Sequence, residues 1–187
     1  MTKMLSTTIR TALMATALSV GGFGFVAPAF AQEPVTVGGA PMYADKNIVE
    51  NAVNSKDHTT LVAAVKAADL VETLQGDGPF TVFAPVNAAF EALPAGTVDT
   101  LLKPESKDML THVLTYHVVA GKLSGAELMK GPVNMTTVSG DALTAQMDGD
   151  QLVITDESGK SAMVTIADVN QSNGVIHVID RVLMPKM

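Results

Sequence analysis

The chain has no cysteine, so its four histidines, His58, His112, His117 and His177, are the side chains that titrate nearest to neutral pH. Acid–base or metal chemistry would run through them. His112 and His117 are five residues apart, about 140° around a helix, so they do not present ligands from a shared face. No HExxH pattern occurs, and His58 stands in a separate, polar helix start. A serine nucleophile would need a strained elbow such as G-x-S-x-G, which the chain lacks. Ser124, Ser139 and Ser158 fall at a helix start or in turns, where a hydroxyl serves neighbouring backbone groups. Asp148, Asp150 and Asp156 read as hairpin residues, not as an acid pair. These patterns lead to the expectation of no catalytic residue and no metal.

His177 sits in NGVIHVIDRVLMP (173–185), a run that is nearly all strand-forming. Alternation puts Val175, His177, Ile179, Arg181 and Leu183 on one face, and Ile176, Val178, Asp180, Val182 and Met184 on the other. Both faces are mostly apolar, so the strand is expected inside the protein, covered on each side. A neutral imidazole there donates one hydrogen bond and accepts another, which would pin a neighbouring loop. His177 is therefore read as a structural residue, together with Asp180 and Asn87.

The elements that hold these residues follow from period and punctuation. Ile48, Val49, Ala52 and Val53, then Leu61, Val62, Val65, Ala68 and Leu70, recur at helical spacing. Asp57 is expected to cap the second of these helices, and Gly76 to end a third. FTVFAP (80–85) is a strand stopped by Pro85. Asn87 is expected to cap the short helix NAAFEAL, which Pro94 closes; Thr97 starts another. Pro104 suits the first turn of a helix in KPESKDMLTHVLTYHVV, where Leu110, Val113, Leu114 and His117 form one apolar stripe. From Val133 onward five strands alternate with turns, and Asp148-Gly149 marks a tight hairpin. Helices first and a β-meander second define an α+β domain.

At the N-terminus, Lys3 and Arg10 precede a charge-free run that closes on Ala29-Phe30-Ala31, a small-x-small cleavage pattern. Residues 1–31 are read as a signal peptide, so the protein is expected to be secreted or periplasmic with no membrane span after cleavage. Gly/Pro-rich residues 32–44 read as a flexible arm, and 45–187 as one domain, expected to be monomeric. Cleavage removes two basic residues and no acid, taking the formal net charge from −7 to −9. So acidic a chain repels nucleic acid and anionic lipid. Trp is absent and aromatic residues are 4%, which leaves few flat platforms for stacking bases or sugar rings. The 11 methionines suit irregular gaps in a core held without disulfides.

Three segments in order, TVFAPVNAAFEALP (81–94), LTYHVVAGKLS (114–124) and NGVIHVIDRVLMP (173–185), closely resemble a fasciclin-like domain of the single-domain secreted bacterial type. The resemblance spans about residues 45–187. It implies a wedge-shaped β-sandwich with several helices packed around it, an adhesive or extracellular role, and no cofactor. It also implies partner-binding positions: Tyr116 and His117, which match the family's Tyr-His motif, and Asp168 and Val169 before Asn-Gly-Val. Here Val169 stands in place of isoleucine, and Ala167 in place of the preceding lysine.

The expected function is thus a non-catalytic interaction module that contacts a protein, matrix or cell-surface partner, not nucleic acid. Two other readings stay open. One is an extracytoplasmic carrier, marked by an apolar pocket of a few hundred Å³. The other is a serine hydrolase, marked by a serine, histidine and acid within hydrogen-bond reach.

Overall fold

The computed structural model describes residues 34–186, so the expected signal peptide, residues 1–31, lies outside the described residues. The described chain opens with a hairpin of β1 (Val35–Val37) and β2 (Ala40–Met42). Helices α1 (Ile48–Ala52), α2 (Thr59–Ala67) and α3 (Val71–Gln75) follow, then strand β3 (Phe80–Pro85). Helices α4 (Asn87–Glu91), α5 (Thr97–Leu101) and α6 (Lys107–Tyr116) lead into β4 (Val118–Ala120) and α7 (Gly125–Leu128). The second half is β5 (Val133–Thr136), β6 (Ala142–Asp148), β7 (Gln151–Thr155), β8 (Ser161–Gln171) and β9 (Gly174–Ile179). The fold class is α+β, as expected.

Seven strands form one sheet in the order β4-β3-β9-β8-β7-β6-β5. Its two ends meet: Val119 bridges Thr137, and the Val138 N–H donates to the Val118 carbonyl at 2.7 Å. The sheet therefore curls on itself, which encloses one core and leaves another on its outer side. Phe83, Ile179, Leu143, Ala145, Leu152, Ile154 and Tyr116 pack between the two halves of the curl. Val82, Ala84, Ile176 and Val178 point the other way, onto the helices. Alternation along β3 and β9 thus feeds both cores, which is why every residue of β9 is buried.

Several expectations are corrected. Residues 35–42 are a hairpin, not an irregular arm, because Val37 and Met42 are buried against the helical core. Helix α6 ends at Tyr116, and Val118-Val119 turn into β4. The last strand, β9, is not only a meander partner of β8. It also runs parallel to β3, with Phe83 opposite His177. Asp57 lies within a short 3-10 turn and caps nothing; α2 begins at Thr59, and its N-cap residue, His58, gives it no side-chain cap. Asn87 is the first residue of α4 rather than its cap. Its Oδ1 instead accepts the Thr60 N–H (3.1 Å), so it caps α2 from across the structure, while its Nδ2 donates to the Lys56 carbonyl (2.8 Å). The Asp148-Gly149 hairpin forms as read, with Asp148 opposite Gln151 and Gly149 at φ +63°.

Candidate functional site

The motif residues gather at two corners of the curled sheet. At the first, α6 stops and delivers Tyr116 and His117 into the interior, at 0% and 3% exposure. The Tyr116 hydroxyl donates to the Ala142 carbonyl (3.2 Å) and accepts the Glu157 N–H (3.1 Å), joining β6 to the β7–β8 turn. Burial pushes its pKa up to about 12, and the nearby carboxylates of Asp156, Glu157 and Asp141 act in the same direction. His117 bonds the Val113 carbonyl through Nδ1 (2.7 Å) and accepts the Leu183 N–H at Nε2 (3.0 Å). The ring is therefore neutral with its proton on Nδ1. Burial lowers its pKa to about 4, against smaller opposing effects of the Val113 carbonyl and the Asp156 charge.

At the second corner, β8 carries two register shifts, and Asp168, within the second, takes a left-handed φ of +57°. The irregularity turns its backbone N–H toward His177 Nδ1 (3.4 Å) and its Oδ1 onto the Gly125 N–H (2.7 Å) at the start of α7. A Cβ on Gly125 would stand 2.8 Å from the Asp168 carboxylate, so a larger residue would push that carboxylate from its place. His177 Nε2 lies 3.0 Å from the Leu123 carbonyl, and the ring stacks on Phe83 with centroids 5.7 Å apart. One nitrogen accepts and the other donates, which pins the 121–124 loop to the sheet. Burial lowers the His177 pKa too, with Leu123 and Asp168 opposing.

Tyr116, His117 and Val169 are all buried, so the positions that the resemblance implies for partner binding face the interior, where the apolar stripe of α6 places His117. Asp168 is half-buried and spends its carboxylate on Gly125. Asp180 Oδ1 accepts the Met163 N–H at 2.8 Å.

Sequence reasoning missed two clusters. His58, expected at a polar helix start, is buried, bonds Ser55 Oγ through Nδ1 (2.9 Å), and has no hydrogen-bond partner at Nε2. Burial lowers its pKa; the Ala84 carbonyl beside it favours protonation without reaching hydrogen-bond geometry. No local pattern signals this, since the β1–β2 hairpin that covers His58 read as a loop. The other cluster is on the surface. His112 Nε2 lies 3.1 Å from Asp141 Oδ2, which also accepts the Ser139 hydroxyl at 2.7 Å. A hydrolase needs the histidine between serine and acid; here the acid is between, so the serine hands its proton the wrong way.

The helix-side core holds an apolar void of about 40 Å³ lined by Val49, Val65, Leu74, Val82, Leu114 and His117. That is far below the ~300–1,000 Å³ of small-molecule chambers. A larger hollow, about 540 Å³, is open and rimmed by polar Asn47, Gln75, Asp77, Lys122 and Ser172. Among the described residues no cluster of three or more His, Cys, Asp or Glu could hold a metal ion, and no helix is long and apolar enough to cross a membrane.

The chain belongs to the fasciclin domain family, whose model matches residues 56–185. It is 54% identical over 140 residues to protein sll1483 of Synechocystis, covering 75% of this chain and 74% of that one. It is 36% identical over 160 residues to the cell surface glycolipoprotein MPB83 of Mycobacterium bovis, covering 83% of this chain and 68% of that one. A solved FAS1 domain pair from the insect cell adhesion molecule fasciclin I overlays with a TM-score of 0.46 at 22% identity, covering 72% of this chain and 43% of that one.

Proposed function

We propose that the protein is an exported, non-catalytic interaction module that contacts a protein, matrix or cell-surface partner through its exterior. Membership of the fasciclin family carries the reading. The name of the MPB83 relative, a cell surface glycolipoprotein, and the signal-like N-terminus support export. Both nitrogens of His117 and of His177 are engaged by backbone groups, which leaves neither ring free for proton transfer to a substrate.

With the Tyr-His corner buried, the contact falls to the surface above it. Met109 and His112 lie three residues apart on the exposed side of α6, and Met109 is 44% exposed. His112 is tied to the 137–141 turn, where Val138 is 45% exposed. Exposed apolar side chains beside a polar pair are common in contact surfaces. The test is a deletion strain scored for surface attachment, complemented with wild type or with a Met109→Glu, Val138→Glu variant. Both substitutions are on the surface, so fold is retained and circular dichroism checks it. Restored attachment with wild type and failure with the variant are expected. Equal rescue by both would reject this surface, and no attachment phenotype in the deletion strain would reject the adhesive role.

A further inference from the structure

Beyond Asp180 the chain leaves the sheet. The Asp180 N–H donates to the Met163 carbonyl (3.1 Å) and is the last backbone pairing of β9 with β8. Arg181 is exposed, and residues 182–186 form neither helix nor strand. The segment is nonetheless seated deeply. Val182 and Leu183 are 3% and 1% exposed, and each plugs a different core. Among the described residues, no backbone group of 181–186 bonds another backbone group. Two side chains hold the segment instead. The Leu183 N–H donates to His117 Nε2 at 3.0 Å, and the Met184 N–H to Asp156 Oδ2 at 3.3 Å.

An imidazolium cannot accept a hydrogen bond, so protonation of His117 turns its Nε2 from a partner of Leu183 into a second donor facing a donor. We propose that residues 181–186 are an acid-released strap, closed over the Tyr116–His117 corner while His117 is neutral and lifted when that ring takes a proton, with the sheet left in place. This goes beyond the proposed surface contact and does not depend on it.

The groups facing His117 set the balance. Asp156, in the β7–β8 turn, favours the charged ring where it is and so works against release. Lys66 of α2 lines the same void as His117, and Arg181 and Lys186 lie in the strap itself; their charges oppose a second cation. Tyr116 stands edge-on at 6.4 Å and remains neutral at acid pH. Burial outweighs the Asp156 attraction, so the closed strap resists protonation and the lifted strap does not. His58 and His177 bond other segments and stay covered when the strap lifts. Release therefore takes up one proton, whereas unfolding exposes three buried imidazoles.

Native-state amide exchange at pH 7 and pH 5, with each rate corrected for its intrinsic value, tests this. If His117 titrates at about 4 when closed and at its ordinary ~6.5 when uncovered, opening at the Leu183 and Met184 amides rises about 20-fold between the two pH values. The Val178 and Ile179 amides should stay more protected, opening only with the whole domain and with a steeper proton dependence. In a His117→Gln variant, whose amide oxygen accepts but does not titrate, the change should shrink to under about twofold. The wild-type comparison decides alone if that variant does not fold. Leu183 and Ile179 amides exchanging at one rate with one pH dependence would overturn the proposal. So would a wild-type change below about threefold.

Discussion

Asn173 and Ile48 are 125 residues apart in the chain and joined in the fold: Asn173 Oδ1 accepts the Ile48 N–H at 3.1 Å. The same amide donates through Nδ2 to the carbonyls of Leu74 (2.7 Å) and Gly76 (3.1 Å). One side chain thus ties the β8–β9 turn to the start of α1 and the end of α3. Asn173→Asp keeps the acceptor but sets a carboxylate against two carbonyls. We expect a loss of about 2–4 kcal/mol, read as a lower urea midpoint with unchanged slope. A midpoint equal to wild type would show that this tie supports nothing.

Asn87 supplies α2 with the cap its own sequence lacks. Asn87→Ala should cost about 1 kcal/mol, as at ordinary N-caps. Asn87→Asp retains the acceptor for Thr60, where a negative charge suits the helix N-terminus, but sets its other oxygen against the Lys56 carbonyl; at this partly exposed site its cost should stay below that of Ala. Chemical denaturation of the two variants orders them; equal losses would mean that the Lys56 contact matters more.

Acid should destabilise the protein through its buried histidines. His58, His117 and His177 all have pKa values lowered by burial, so the unfolded chain binds protons that the folded one refuses. Their contribution to stability is fully present above the unfolded value, near 6.5. It falls as pH drops below that point and levels off only at the folded value, about 4 for His117. His117 alone, shifted from ~6.5 to about 4, removes about 3 kcal/mol over that span. Urea midpoints at pH 7.5, 6 and 5 measure the decline. A flat profile would mean that the histidines are not neutral and sealed.

Tyr116 gives the mirror effect in alkali. Its phenol, raised to about 12, stays protonated in the folded state after the unfolded chain has lost the proton near 10. Stability should therefore drop as pH climbs from about 10 to about 12. In a Tyr43→Phe background the remaining tyrosinate absorbance should appear near pH 12. Tyr116→Phe leaves the Glu157 N–H without its partner and should cost about 1–3 kcal/mol by the same denaturation assay.

Much of this was legible in the chain. Alternating apolar residues determine which faces of β3 and β9 are covered, because a strand's side chains have a strict period of two. The helical stripes, the Asp148-Gly149 turn and the buried setting of His177 follow from equally local rules. Three-dimensional closure decided the rest. The burial of Tyr116 depends on β6 and the β7–β8 turn arriving above it, and that of His58 on a hairpin whose residues carry no strand signal. Asn87 reads as the cap of the helix it begins, since nothing nearby announces that Thr60 will come within reach. Local periodicity records what each segment prefers alone; which donors meet which acceptors across distant segments is settled only when the sheet curls shut.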